Sequence, residues 1–137
     1  MRTSIRVVNG LASHVRIGKD KIMSKSAISM LVFGIYNIFV GLVFVLVPNL
    51  MLGIFGVSPT TEQWVRVMGL LLAYFGIYYI LAARVELRPL FQWSVYVRGS
   101  VIFIFALFVL TGIGQPTLLL FGTFDLIGAI WTAITLR

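Results

Sequence analysis

Four apolar runs, at about residues 27–47, 64–83, 90–113 and 117–136, take up most of this chain and are separated by short breaks of proline, glycine or charge. Each is close to the ~20 residues that a helix rising about 1.5 Å per residue needs to cross ~30 Å of hydrocarbon. Hydrocarbon offers backbone N–H and C=O groups no partner, so a spanning segment must satisfy them internally, and a single run does so only as a helix. The expected fold is therefore all-α: an integral membrane bundle of four transmembrane helices over residues 27–137, preceded by a basic N-terminal segment, residues 1–26. Composition agrees, since 60% of the 137 residues are apolar and the mean hydropathy is +1.04, far above soluble proteins.

The breaks have chemical signatures. The first run stops at Pro48-Asn49, where the helical hydrogen-bond ladder is hard to continue. It is longer than the core of a secretory signal and no Ala-x-Ala site follows it, so it reads as uncleaved. The apolar stretch from Leu50 to Val57 is too short to cross and predicts an interfacial turn or half-helix. Ser58-Pro59-Thr60-Thr61-Glu62 resembles a helix start with capping hydroxyls, and Trp64 stands where an interfacial aromatic belongs. Arg84 to Pro89 forms a charged link suited to a tight hairpin, and Gly112, Gly114 and Pro116 break the third run. In residues 1–26, Gly10 and Gly18 interrupt any long helix, while Ile5, Val8, Leu11 and Val15 give at most a weak amphipathic face. Met23, just before Ser-Lys-Ser and the first apolar run, is an alternative translation start that N-terminal peptide sequencing would identify.

The net charge of +7 comes from 11 Lys and Arg against 4 Asp and Glu. Six of the basic residues are Arg2, Arg6, Arg16, Lys19, Lys21 and Lys25, the distribution that holds an N-terminus on the cytoplasmic side, and it speaks for lipid headgroups over nucleic acid. Arg84, Arg88 and Arg137 fall on the same side of a four-span topology and Arg66 alone on the other. The expectation is a multi-pass inner-membrane protein with both termini cytoplasmic. With no cysteine and with His14 as the lone histidine, no disulfide, thiolate site or intramembrane haem or zinc site can be built, so no cofactor is expected.

Three polar residues stand out for their depth. Asn37 lies ten residues into the first span, Arg98 eight into the third and Asp125 eight into the fourth, which puts all three near one middle level. An Arg or Asp there costs at least ~2.5–3.5 kcal/mol on insertion scales, so the two charges should meet. Asp125 shares a helical stripe with Gly122, Gly128, Ala129 and Thr132, whereas Phe124, Ile127, Ile130, Trp131 and Ile134 lie elsewhere, so the acid should face other helices. Asn37 sits between Gly34 and Gly41, and Arg66 begins a stripe with Gly69, Ala73, Gly76 and Ala83; such small-residue stripes let helix backbones approach closely. The cluster of Arg98, Asp125 and Asn37 either fixes the packing of three helices or lines a pocket for the head of a lipid, quinone or aromatic molecule. Arg66 and Glu62 are a candidate outer mouth or snorkelling surface residues. Tyr74, Tyr78, Tyr79 and Tyr96 are available to add hydroxyls to a pocket.

Val65-Arg66-Val67-Met68-Gly69, the Tyr78–Arg84 end of the second span, Arg98, and Phe124-Asp125-Leu126-Ile127-Gly128-Ala129 through Trp131 to Arg137 resemble the small bacterial four-span proteins grouped around DoxX, and among them the BphX-like proteins of aromatic-degradation operons. The resemblance covers residues 27–137. It implies an accessory membrane subunit, in one relative linked to quinone-dependent sulfur oxidation. Residues and resemblance together give a non-catalytic membrane protein that supports a partner protein or handles a hydrophobic compound. A small dimeric exporter is the alternative, although Asn37 stands in the first span where small multidrug transporters carry an acid. A membrane isomerase using Asp125 and Arg98 is third, because paired carboxylates and phosphate loops are lacking. Monomer and homo-oligomer both remain open.

Overall fold

The structure, a computed structural model, describes residues 22–137; the basic positions before Lys25, His14 and the weakly amphipathic segment lie outside the described residues. The described chain is all-helical: α1 (Lys25–Leu46), α2 (Pro48–Ile54), α3 (Gln63–Arg84), α4 (Arg88–Leu110) and α5 (Leu118–Leu136). Four of these, all but the 7-residue α2, are long and apolar enough to cross a membrane. Their flanks expose large apolar side chains, Phe39, Leu46, Phe103 and Ile134 each being 66% or more exposed.

The helix ends follow local chemistry. Ser24 caps α1, its Oγ accepting from the Ala27 N–H at 3.2 Å. The backbone of Val47 leaves the helical region (φ −134°, ψ +60°) ahead of a proline that disfavours it, and Pro48 takes the first turn of α2, where its missing N–H costs nothing. Pro48 thus opens the half-helix instead of merely ending the first span. Three helices close with one device, in which the two N–H groups beyond the cap turn back onto carbonyls of the last turn. For α2 these bonds are Gly56 to Gly53 and Val57 to Leu52, for α4 Gly112 to Val109 and Ile113 to Phe108. The device needs a left-handed residue, supplied by Gly56 (φ +67°) and Gly112 (φ +73°). Gly112 therefore ends the third span at Leu110, three residues before the expected Ile113. At the end of α3 the same position is filled by Glu86 (φ +54°), the one described non-glycine residue with positive φ. One expected cap is not formed: Ser58 to Thr61 lie before α3, whose cap residue is Glu62 with no side-chain bond. Thr60 Oγ1 instead accepts from the Glu62 N–H at 3.1 Å, and the Thr60 N–H donates to Asn49 Oδ1 at 2.9 Å, tying the loop to α2.

α1 is the central element. It packs along α3 on one side and meets α5 on the other, and α5 packs along α4. The link of Val85 to Leu87 is short, yet α3 and α4 do not form the expected packed hairpin, because the N-terminal turns of α1 enter between them. Ala27 and Met30 are buried there with Ala82, Ala83 and Phe91. Glu86 fastens this end, accepting from the Ser24 N–H at 2.6 Å and the Ser24 hydroxyl at 2.7 Å. At the far end, Phe55 after α2 stacks on Phe121 of α5 at 4.0 Å.

The α1–α3 seam is built on glycine. A Cβ on Gly34 would lie 2.7 Å from the Gly76 carbonyl oxygen, and one on Gly76 2.5 Å from that of Gly34; Gly41 and Gly69 repeat the relation at 2.5 and 2.7 Å. Both pairs recur at seven-residue spacing on antiparallel helices, which sets backbone against backbone along two turns.

Candidate functional site

Arg98 projects from the buried face of α4 and is 2% exposed. It lies ten residues beyond Arg88, about 15 Å along the helix, and Asp125 lies a similar distance from the C-terminal end of α5. The antiparallel pairing of α4 and α5 brings the two to one level, with Arg98 Nε 3.8 Å from Asp125 Oδ1. This is an ion pair without a hydrogen bond, since N–H donors bond oxygen at about 2.7–3.2 Å. None of the three guanidinium nitrogens has a hydrogen-bond partner among the described residues. Such a group is expensive, because each buried donor left unbonded costs roughly 1–3 kcal/mol.

Part of that cost is offset by an aromatic ring. The Arg98 guanidinium carbon lies 3.3 Å from the ring centroid of Phe33, close enough for the ring's negative face to attract the cation. Phe33 is in turn held by Tyr79, edge-on at 5.3 Å, and by Tyr36, stacked at 5.9 Å. Tyr36 stacks on Phe124 at 6.0 Å, which carries the aromatic chain from α1 to α5.

Arg98, Phe33, Tyr36 and Phe124, but not Asp125 or Tyr79, line an open cavity of about 190 Å³. Arg98 is its floor; Ser29, Val32, Phe33 and Tyr36 form the α1 wall, and Phe124, Ile127, Gly128 and Trp131 the α5 wall. Glycine at 128 is what admits the guanidinium, as a Cβ there would run into Arg98 Nη2. Ser29 closes the end nearest the chain terminus, its hydroxyl bonded to Thr132 Oγ1 at 3.0 Å. Burial is graded across the cavity: Ser29 and Arg98 are each 2% exposed, while Val32, Phe124 and Trp131 at the rim are 45%, 58% and 43% exposed. The opening therefore faces sideways, between α1 and α5, through the same apolar flank that rings the bundle.

The sequence-derived candidates divide. Arg98 and Asp125 are brought together, and Asp125 is 27% exposed at its side chain, so the pair is lopsided in burial. Asn37 is buried but does not line this cavity; it sits between Gly34 and Gly41 on the side of α1 that carries the glycine seam. Arg66 and Glu62 are exposed and do not line this cavity. Arg66 instead donates from Nη1 to the carbonyl of Val45, one of the last-turn carbonyls of α1 that lack a helical partner. Tyr74, Tyr78 and Tyr96 are 51%, 65% and 72% exposed and face away from the cavity, and of the tyrosines singled out only Tyr79 reaches its aromatic cluster. The sequence reading missed Tyr36 and Phe33, although Ser29, Phe33 and Tyr36 share one helical stripe. Phe124, Ile127 and Trp131 lie off the Asp125 stripe, as expected, and it is they, not Asp125, that form the α5 wall.

Among the described residues no group of three His, Cys, Asp or Glu side chains stands ready to hold a metal ion. The chemistry on offer is a cluster of hydrogen-bond donors at the bottom of an aromatic slot. The chain matches no protein-family model, no curated protein and no solved structure.

Proposed function

We propose that this chain is a multi-pass inner-membrane protein with both termini cytoplasmic, and that it binds, without transforming, the polar head of a hydrophobic compound that enters from the lipid. The observation that carries this reading is the Arg98 guanidinium, 98% buried yet unbonded, at the floor of a slot whose rim lies on the apolar flank. A packing role alone would not explain the slot. A guanidinium used only to join α4 to α5 would be expected to engage Asp125 in a forked hydrogen-bonded pair, not to stand 3.8 Å away.

Such binding suits either a carrier of lipid-soluble molecules or an accessory subunit that presents one to a partner membrane protein, the role that likeness to the DoxX-like proteins implies. Native mass spectrometry of the protein, gently extracted from its own membranes, tests both. A small molecule retained by the wild type and lost from Arg98→Gln supports binding at this slot, and a second protein in the complex identifies an accessory subunit. A chain that carries neither contradicts the reading. Orientation is tested separately: a C-terminal fluorescent-protein fusion should be bright and a C-terminal phosphatase fusion inactive, and the opposite pattern would overturn it.

A further inference from the structure

If the slot binds a hydrophobic compound, its charge balance and size narrow what that compound is. We infer that it takes an uncharged aromatic carbonyl compound, its oxygen on the Arg98 guanidinium and its ring in the aromatic slot, in preference to a fatty-acid carboxylate or a lipid phosphate.

Three observations lead there. First, Asp125 lies close enough to balance the charge of Arg98 without occupying its donors. A guanidinium carries five N–H groups and no acceptor, so what the floor lacks is an acceptor atom and not a negative charge. An anion would leave the buried site with an excess negative charge beside the Asp125 carboxylate, which a low-dielectric interior penalises. Second, the walls are aromatic: Phe33 stacks on Tyr36 at 5.9 Å within α1, and Tyr36 stacks on Phe124 of α5 at 6.0 Å. A planar ring adds to such a stack where a flexible acyl chain gains only area. Third, an apolar cavity of about 150 Å³ takes a benzene-sized ring, so about 190 Å³ holds one ring with its carbonyl substituent. Any alkyl tail leaves past Val32 and Trp131 into the surrounding lipid.

The test uses the full chain in nanodiscs, with Trp64→Phe and Trp93→Phe introduced so that Trp131 at the rim is the remaining fluorophore; both replaced residues are more than half exposed and away from the slot. The probes are 4-octylacetophenone, decanoate and phosphatidylglycerol. The ketone should quench Trp131 saturably, with an affinity at least tenfold above decanoate and no competition from phosphatidylglycerol. Asp125→Asn should reverse the order, because the guanidinium then lacks its counter-charge and the carboxylate supplies it. Should that variant not fold, Val32→Phe, a rim change that narrows the opening, should weaken the ketone at least tenfold in an otherwise intact protein. Tighter binding of decanoate or phosphatidylglycerol by the parent protein overturns the inference and leaves the binding slot standing. Failure of all three probes to saturate, together with native protein that retains no molecule, removes the slot as well.

Discussion

Towards α3 the first helix presents Gly34 and Gly41; towards α4 and α5 it presents Ser29, Phe33 and Tyr36. The first face is closed so tightly that a Cβ on either glycine would come within 2.5–2.7 Å of a backbone carbonyl oxygen of α3. The second is held open by aromatic rings around a guanidinium that no described residue bonds. Glycine serves both faces with opposite results: at 34, 41, 69 and 76 it removes space, whereas at 128 it makes room for Arg98. In lipid, where apolar burial barely drives helix association, close packing of small residues holds helices together. The seam thus joins α1 to α3 without drawing on the face that carries the polar slot.

Changes at the seam should be the most damaging. Gly41→Leu should prevent α1 and α3 from pairing, a loss beyond about 4 kcal/mol, seen as failure to recover folded protein after mild extraction. Recovery of a stable protein would mean the two helices do not pack in this register. Next come the charges, where unequal burial predicts unequal costs. Asp125→Leu leaves a fully buried guanidinium without its counter-charge and should cost about 3–5 kcal/mol. Arg98→Leu leaves a carboxylate that is already 27% exposed and should cost less, and the double replacement should cost less than Asp125→Leu alone. Steric-trap unfolding in bicelles reads all three, and simple additivity would count against contact between the charges.

Smaller effects separate the faces more finely. Gly41→Ala, whose Cβ meets only backbone, should cost about 1–3 kcal/mol, whereas Gly99→Ala on α4, with nothing within 4 Å of the added carbon, should stay within about 0.5 kcal/mol. Equal losses at the two glycines would remove the distinction between a seam and an open surface. Ser24→Ala, which removes a cap and one of two bonds to Glu86, should cost about 1 kcal/mol. A double cycle with Glu86→Gln checks it, since non-zero coupling is expected only if the two side chains touch.

Much of this arrangement is legible in the residues, but unevenly. The four long helices are, because a run of some 20 apolar residues permits few other structures, and so is the meeting of Arg98 with Asp125, because two charges at equal depth are costly apart. The glycine stripes are visible on each helix as well, yet a stripe does not name its partner: Gly34 and Gly41 pair with Gly76 and Gly69, which carries Asn37 to the seam and away from the charges. The slot was harder to foresee. Phe124 and Trp131 lie at the border between the buried and exposed arcs of α5, and a one-helix view puts such residues wholly outside. Glu86 is less legible for another reason: the left-handed position closing α3 normally calls for glycine, and the bonds from Ser24 to a glutamate there join two elements 62 residues apart.

The most direct measurement compares Gly41→Ala with Gly128→Ala by native mass spectrometry after gentle extraction, with unfolding energies taken on the same samples. The added carbon at 41 meets rigid backbone, and at 128 only the movable end of Arg98. Gly41→Ala should therefore lose stability and keep the retained hydrophobic molecule, whereas Gly128→Ala should keep its stability and lose the molecule. If the two variants lose both properties together, or if neither changes what the wild type carries, the division of α1 into a structural face and a binding face is wrong.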